Sequence, residues 1–418
     1  MDFSKYLRPR YILTFSGLNY LQAGLSFLVS VFLARELGKE DFGHFSYGMI
    51  FANTLNVIMQ FGTDRTLVRD LVQIDKPNLT ISSAAWLWLA IGTILMLGVG
   101  TWAFFFSGLS YQTAIIVLLC SSLGFIRGMS PVPWFDFKGK ANYHSLLMLI
   151  DRVLFIGGAV VLIFFLKNEQ TVLYVCALQL STRIISLALE WKFVAGSAQL
   201  IIKPAYFFIK KIIYNNTWVW FAALGNLLMS QANQLILNRQ FGPQELAIFG
   251  LSFQIIMFIR LLFAQILRLV TPSIAQVTKQ VATKPAIVKK KLLQYCGLNF
   301  IIGVAIVLPV YFLTPWLINN FIGVQYLPAL PVLNVLYIWS LLFGMAIIIN
   351  QFLIGLHKQR FFFISSLVFG LISLVLAELF IQEYKAMGAA LSMLVSHFCA
   401  VVFQLVIVLR TIKKEGNV

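Results

Sequence analysis

Arg35-Glu36-Leu37-Gly38-Lys39-Glu40-Asp41-Phe42-Gly43-His44-Phe45 interrupts an apolar run, and a similar interruption recurs 204 residues later. There the chain reads Arg239-Gln240-Phe241-Gly242-Pro243-Gln244-Glu245-Leu246-Ala247-Ile248-Phe249. Arg, Gly and Phe coincide, Asp41 aligns with Glu245, and Gly43 aligns with Ala247. Each copy joins two long apolar stretches. Gly38 and Gly242 supply the backbone freedom that a tight helix–helix turn needs. The acid after each favours the N-terminus of the next helix. Arg35 and Arg239 are therefore read first as turn residues and only second as substrate contacts.

The stretches on either side are long enough to cross a membrane, which takes about 20 mostly apolar residues. Twelve such runs are bounded by charge, Pro or Gly. The first half supplies 11–33, 42–62, 81–105, 111–130, 144–166 and 171–191. The second supplies 215–237, 247–271, 293–314, 330–355, 361–381 and 388–409. Composition agrees: the 418 residues are 60% apolar and 11% charged, with mean hydropathy +0.86. Soluble domains sit near ~45–50% apolar and ~25% charged, so an integral membrane protein is expected. The first run follows Lys5, Arg8 and Arg10 as a signal peptide would, but it is too long for a signal core and ends at Arg35-Glu36 without a small-residue cleavage site. It is read as a retained span.

Six spans per half is an even number, so both halves enter the membrane from one side. The expectation is an all-α membrane protein with two six-helix lobes related by a parallel repeat, an arrangement typical of transporters. The lobes are drawn at 1–193 and 215–418, joined by a cytoplasmic amphipathic linker at 194–214. Within it, Tyr206–Tyr214 carries Phe207, Phe208, Ile212 and Ile213 beside Lys210 and Lys211, and reads as a basic helix on the membrane surface. Lys and Arg in the short loops divide 24 to 5 between the two sides, which places both termini in the cytoplasm. No loop is long enough for a fused catalytic domain. The net charge of +17 is thus explained by topology, and no nucleic-acid partner is expected. Cys120, Cys176, Cys296 and Cys399 lie in apolar runs without metal-ligand spacing and read as small core residues.

Charge at bilayer depth is costly and normally faces a polar cavity or a partner. Arg260 lies about midway along the eighth span. Arg183 lies midway along the sixth, on a stripe Gln179, Arg183, Ser186, Glu190 that shares one helix face. Arg152 adjoins Asp151 two turns into the fifth span, where it either snorkels to the cytoplasmic interface or lines the cavity. Asn19, Ala23, Ser26 and Ser30 share a face of the first span, and Asn53, Asn56 and Gln60 a face of the second. Asn226, Ser230 and Asn233 do so in the seventh. Interhelical hydrogen bonding accounts for any one of these; their concentration in repeat-related spans points instead to a polar cleft. With three arginines against Asp151, the cavity is expected to be cationic and to need an anion. Bidentate arginine suits phosphate, and Asn, Gln and Ser suit sugar hydroxyls, so a diphosphate carrying sugar matches the inventory.

Chemistry motifs are lacking: there is no Walker loop, zinc spacing, nucleophile elbow or pair of catalytic carboxylates. No metal site is expected. His397, a lone polar residue in the last span, reads as a helix–helix hydrogen bonder.

Arg35-x-Leu37-Gly38-x-x-x-Phe42-Gly43-x-Phe45, followed by Phe61-Gly62 and Arg69, resembles the first hairpin of polysaccharide flippases of the Wzx type. Gly242-Pro243-x-x-x-Ala247-x-Phe249, Gly355-x-x-Lys358-x-Arg360-Phe361 and Gly388-Ala389-Ala390-Leu391 are similar to that family as well. The resemblance places the chain in the multidrug/oligosaccharidyl-lipid/polysaccharide superfamily. It implies a translocase, not an enzyme, in the bacterial inner membrane. The implied activity moves undecaprenyl-diphosphate-linked O-antigen repeat units to the outer leaflet by alternating access. Arg260 stands where related flippases carry a cavity arginine. From the residue pattern, the expected substrate contacts are Arg260, Arg183 and Arg152, with Asn19, Asn53, Asn56, Gln60, Asn226, Ser230 and Asn233 lining the cavity. The implied partners are the lipid-linked oligosaccharide, membrane lipid, the polysaccharide polymerase and the chain-length regulator. No cofactor is expected. Coupling is open between an H+ or Na+ gradient, acting through Asp151 and Glu190, and the membrane potential. The alternatives are a drug/cation antiporter of the same fold, for which the cavity sign is wrong, and an O-antigen polymerase or ligase. The longest outer loop, 314–329, has no titratable side chain besides Tyr326 to serve the latter.

Overall fold

A computed structural model describes residues 9–73, 76–166, 168, 170–198, 205–278, 280–281, 283–356 and 358–415. Among them the regular structure is helical, and nine helices are long and apolar enough to cross a membrane. The order is α1 (Pro9–Gln60), α2 (Thr63–Gln73), α3 (Pro77–Thr101), α4 (Tyr111–Gly128), α5 (Val132–Lys138) and α6 (Ala141–Phe165). Then follow α7 (Thr171–Ser197), α8 (Tyr206–Leu227), α9 (Asn233–Thr278), α10 (Pro285–Leu317), α11 (Ala329–Gly355) and α12 (Gln359–Glu415).

Three helices are too long for one crossing. α1 has 52 residues, α9 has 46 and α12 has 57, whereas about 20 span the hydrocarbon. Each contains one non-helical residue: Gly38 (φ 77°, ψ 177°), Gly242 (φ 79°, ψ −174°) and Lys385 (φ 50°, ψ −128°). The two glycines, 204 residues apart in the sequence repeat, adopt nearly the same backbone conformation. In α12 the break reverses the chain. Gln404 donates from Nε2 to Ser365 Oγ at 2.8 Å, and the Phe369 and Phe403 rings are 6.1 Å apart. On a straight helix Ser365 and Gln404 would be separated by nearly 60 Å.

The packing divides the chain into two compact units, residues 1–29 with 44–223, and residues 30–43 with 224–418. In the first, α4 packs against α7 and α6 against α7. One end of it is closed by a short amphipathic helix, α2, in a stretch that the span count leaves between two crossings. α2 buries Thr63, Leu67 and Leu71 in a cluster with Trp88, Trp134 and Ile212. The Trp88 indole donates to Thr63 Oγ1 at 2.9 Å, and Thr66 hydrogen-bonds Asn216. In the second unit α9, α11 and α12 pack together. Residues 30–43 belong to it: Ser30 Oγ donates to Gln254 Oε1 at 2.5 Å, and Tyr326 donates to the Ala34 carbonyl at 3.1 Å.

Two expectations about connections change. Tyr206–Tyr214 is not a separate surface helix: it forms the opening turns of α8, which continues through a wider turn over Leu228–Ala232 into α9, so that the two count as one long helix. Of the rest of that linker, 194–197 closes α7, and 199–204 lies outside the described residues. The stretch 314–329, expected as a loop, is largely helical, since α10 runs through two internal prolines to Leu317 and continues as a wider turn over Ile318–Ile322.

Candidate functional site

In the first unit the α7 stripe forms as its spacing requires, with Gln179, Arg183, Ser186 and Glu190 all buried. Arg183 Nη1 lies 2.7 Å from Glu190 Oε1. The other carboxylate oxygen, Oε2, accepts from Ser130 Oγ at 2.5 Å, and His144 Nδ1 stands 3.7 Å from Oε1. Met148 Sδ caps the guanidinium at 3.2 Å. Glu190 is fully enclosed, so the carboxylate is tolerated there because a guanidinium and a hydroxyl satisfy both oxygens. Arg183 is therefore charge-compensated within its own helix, seven residues from its partner.

The same region holds Asp151 and Arg152 of α6. Asp151 is buried and Arg152 half-buried, and neither Asp151 Oδ1 nor Arg152 Nε makes a hydrogen bond. Arg127, at the end of α4, lies within electrostatic reach of Arg152, Arg183 and Asp151. The cluster thus gathers Arg127, Arg152 and Arg183 against Asp151 and Glu190, an excess of one positive charge. The expected set of Arg152, Arg183 and Arg260 against Asp151 is therefore not one cluster: Arg260 belongs to the other unit, and Arg127 and Glu190 join this one.

The polar residues divide. Asn19 accepts from Ser145 Oγ at 3.2 Å, between α1 and α6. Asn53 is exposed, Gln60 half-buried, and Asn56 half-buried with its Oδ1 unpaired. In the second unit Asn226 is exposed and Ser230 half-buried. Amides exposed in the middle of apolar helices face water more cheaply than lipid. Asn233 does not line a cavity. It is fully buried, and the two N–H groups of its Nδ2 are shared among three acceptors, Ser373 Oγ at 3.1 Å, Ser392 Oγ at 2.9 Å and the Met229 carbonyl at 3.0 Å. It ties α9 to both arms of α12, the interhelical role that membrane bundles give such amides.

Arg260 has a different setting from Arg183. Its guanidinium carbon stands 3.6 Å from the centroid of the Phe343 ring and 5.0 Å from that of Trp339. Trp339 and Phe343 are four residues apart on α11 and so share a face. Met257 Sδ lies 3.5 Å from Nη1. Among the described residues no carboxylate comes within ion-pair distance of Arg260. Aromatic faces stabilise a guanidinium through the ring quadrupole without neutralising it, leaving its N–H edges for an acceptor. His397 of α12 packs on the same two rings, 5.8 Å from Trp339 and 6.1 Å from Phe343. Arg127, Ser130, His144, Trp339 and Phe343 were not expected as site residues, because the sequence places the first three at span ends and makes the last two look like ordinary apolar packing.

Comparison with known proteins adds the following. Residues 10–278 match the family described as "Polysaccharide biosynthesis protein". No curated protein matches the chain. Among solved structures, the lipid II flippase MurJ in an inward closed conformation aligns at TM-score 0.75 and 15% identity, covering 96% of this chain and 90% of that one. An inward-facing multidrug resistance MATE transporter of the MOP superfamily aligns at 0.70 and 13% identity, covering 95% and 96%. A MOP superfamily transporter from Pyrococcus furiosus, described as having reversed binding-pocket polarity, aligns at 0.59 and 14% identity, covering 97% and 96%. The fold is that of MOP-superfamily transporters.

Proposed function

We propose, for a chain that belongs to the polysaccharide biosynthesis protein family and has a multi-pass transporter fold, that it flips a lipid-linked oligosaccharide across a membrane. The substrate is an undecaprenyl-diphosphate-linked O-antigen repeat unit, moved from the cytoplasmic to the outer leaflet of a bacterial inner membrane. The observation that carries this reading is Arg260: a guanidinium midway along an apolar helix, held against aromatic rings and, among the described residues, without a carboxylate partner. Such a group needs an anion for part of its working cycle. A diphosphate fits its free edges as a bidentate acceptor.

In this reading the breaks at Gly38, Gly242 and Lys385 divide nine long helices into twelve spans, with both termini cytoplasmic. Two six-helix lobes, 1–193 and 215–418, alternate in access. Each unit offers its own amides and hydroxyls to sugar, Asn53, Asn56 and Gln60 in the first and Asn226 and Ser230 in the second, and the polyprenyl chain stays in lipid. Arg152, whose Nε is unpaired, is a further anion contact offered within its own unit, while Arg183 is held by Glu190. Protonation of Glu190 or Asp151 would alter that cluster's charge and offers a route for ion coupling. The polymerase and chain-length regulator act on the delivered product.

The test follows lipid-linked repeat units in cells lacking this protein, scored by access to an impermeant lectin. Cytoplasmic-side accumulation relieved by the wild-type gene supports flipping. Normal outer-leaflet exposure without long chains moves the function to polymerisation, and unchanged glycan removes the reading.

A further inference from the structure

His397 carries a polar atom that the fold does not satisfy. Its Nε2 is buried without a hydrogen-bond partner, where buried polar atoms normally have one. Its ring rests on Trp339 and Phe343, the two rings that also hold the Arg260 guanidinium. One aromatic platform thus presents an imidazole from α12 and a guanidinium from α9. Among the described residues Arg260 is the charged group that acts on His397, and α11 contributes no titratable side chain to the platform.

We propose that Arg260 and His397 form a two-point clamp for a phosphate-type anion, and that the imidazole takes up one proton as the anion arrives. The proposal rests on the flipping reading, in which that anion is the diphosphate of the lipid carrier. A diphosphate bears more negative charge than one guanidinium offsets, and uncompensated charge at bilayer depth is costly. An anion beside both groups favours imidazolium over neutral imidazole, and the imidazolium offers donors at both ring nitrogens. The proton comes from water and goes to the imidazole; no covalent bond to the ligand forms or breaks. With the anion gone, Arg260 disfavours a second positive charge next to it, and the proton leaves with the anion.

The test uses the full chain in lipid nanodiscs, with inorganic pyrophosphate and geranyl diphosphate as probes. Calorimetry in two buffers of different ionisation enthalpy counts protons taken up per anion bound, between pH 6 and 8. Wild type should take up nearly one more proton than His397→Gln. Its affinity should fall by up to tenfold more per pH unit than the variant's. The probes' own ionisation is common to both proteins and cancels. A readout on unaltered protein is the imidazole carbon and nitrogen resonances, one set of which should move to imidazolium values when pyrophosphate is added near pH 7.5. Equal proton uptake in wild type and variant, with histidine resonances unmoved, would overturn the clamp. Proton-linked pyrophosphate binding with no gain from the prenyl chain would support the clamp while removing the lipid-linked reading. Prenyl diphosphate binding with identical uptake in both proteins would do the reverse.

Discussion

Arg260 and Phe343 are stacked, with the guanidinium carbon 3.6 Å from the ring centroid, and this contact leaves a cation inside the membrane held but not neutralised. Arginine is planar and can lie flat on the ring while its edge binds two oxygens; lysine can do neither. Arg260→Lys should therefore lower transport at least tenfold despite keeping the charge. Phe343→Leu, which keeps apolar volume and removes the quadrupole, should have a smaller effect, in line with the ~0.5–2 kcal/mol of a cation–π contact. Rates of glycolipid translocation at matched protein levels check both.

The Arg183–Glu190 pair predicts a non-additive cycle. Removing one partner leaves a buried charge unmatched, which costs roughly 3–5 kcal/mol, whereas removing both costs far less. Arg183→Met and Glu190→Gln should each lower thermal stability in detergent strongly. The double variant should recover most of the loss. Equal, additive losses would mean that the pair is solvated and that Arg183 is free for substrate.

Gly38 and Gly242 share a positive-φ, extended-ψ conformation that is essentially glycine's alone and costs a side chain about 1–3 kcal/mol. Gly38→Ala and Gly242→Ala should each reduce the melting temperature by a few degrees. The space around both would admit a methyl group, so the penalty comes from the backbone alone. Similar losses at the two sites would express the repeat in energetic form.

Asn233 and Asn53 should part company when tested. Asn233→Ala leaves Ser373 and Ser392 without their amide and should cost up to about 1.7 kcal/mol of stability, with transport per folded molecule unchanged. Asn53→Ala, at an exposed position, should leave stability alone and reduce transport. Thermal melts and transport assays on the same preparations separate the two roles.

Much of this architecture is legible in the sequence because membrane helices announce themselves by length and apolarity. The turns at Gly38 and Gly242 follow from an interrupted run repeated with spacing. The α7 stripe is legible for the same reason, since positions 179, 183, 186 and 190 fall on one face. Pairing is less so. Nothing in the spacing says that Glu190 turns back to Arg183 rather than outward, or that Ser130, 60 residues earlier, supplies its second hydrogen bond. Asn233 reads as cavity lining until Ser373 and Ser392 are brought to it by the reversal of α12 at Lys385. Trp339 and Phe343 were hidden because an aromatic residue in an apolar span looks like packing until a cation is found on its face. The amphipathic α2 is missed because Gly62 and the charges after it read as a loop between spans.

The most direct test of the account is translocation by purified protein in sealed proteoliposomes. A lipid-linked repeat unit is placed in both leaflets, and protection from an impermeant glycosidase is followed over time. The account predicts that wild-type protein renders the protected pool accessible within minutes, and that Arg260→Ala, equally well folded and inserted, leaves about half the substrate protected, as empty liposomes do. Full access with Arg260→Ala at the wild-type rate would contradict it.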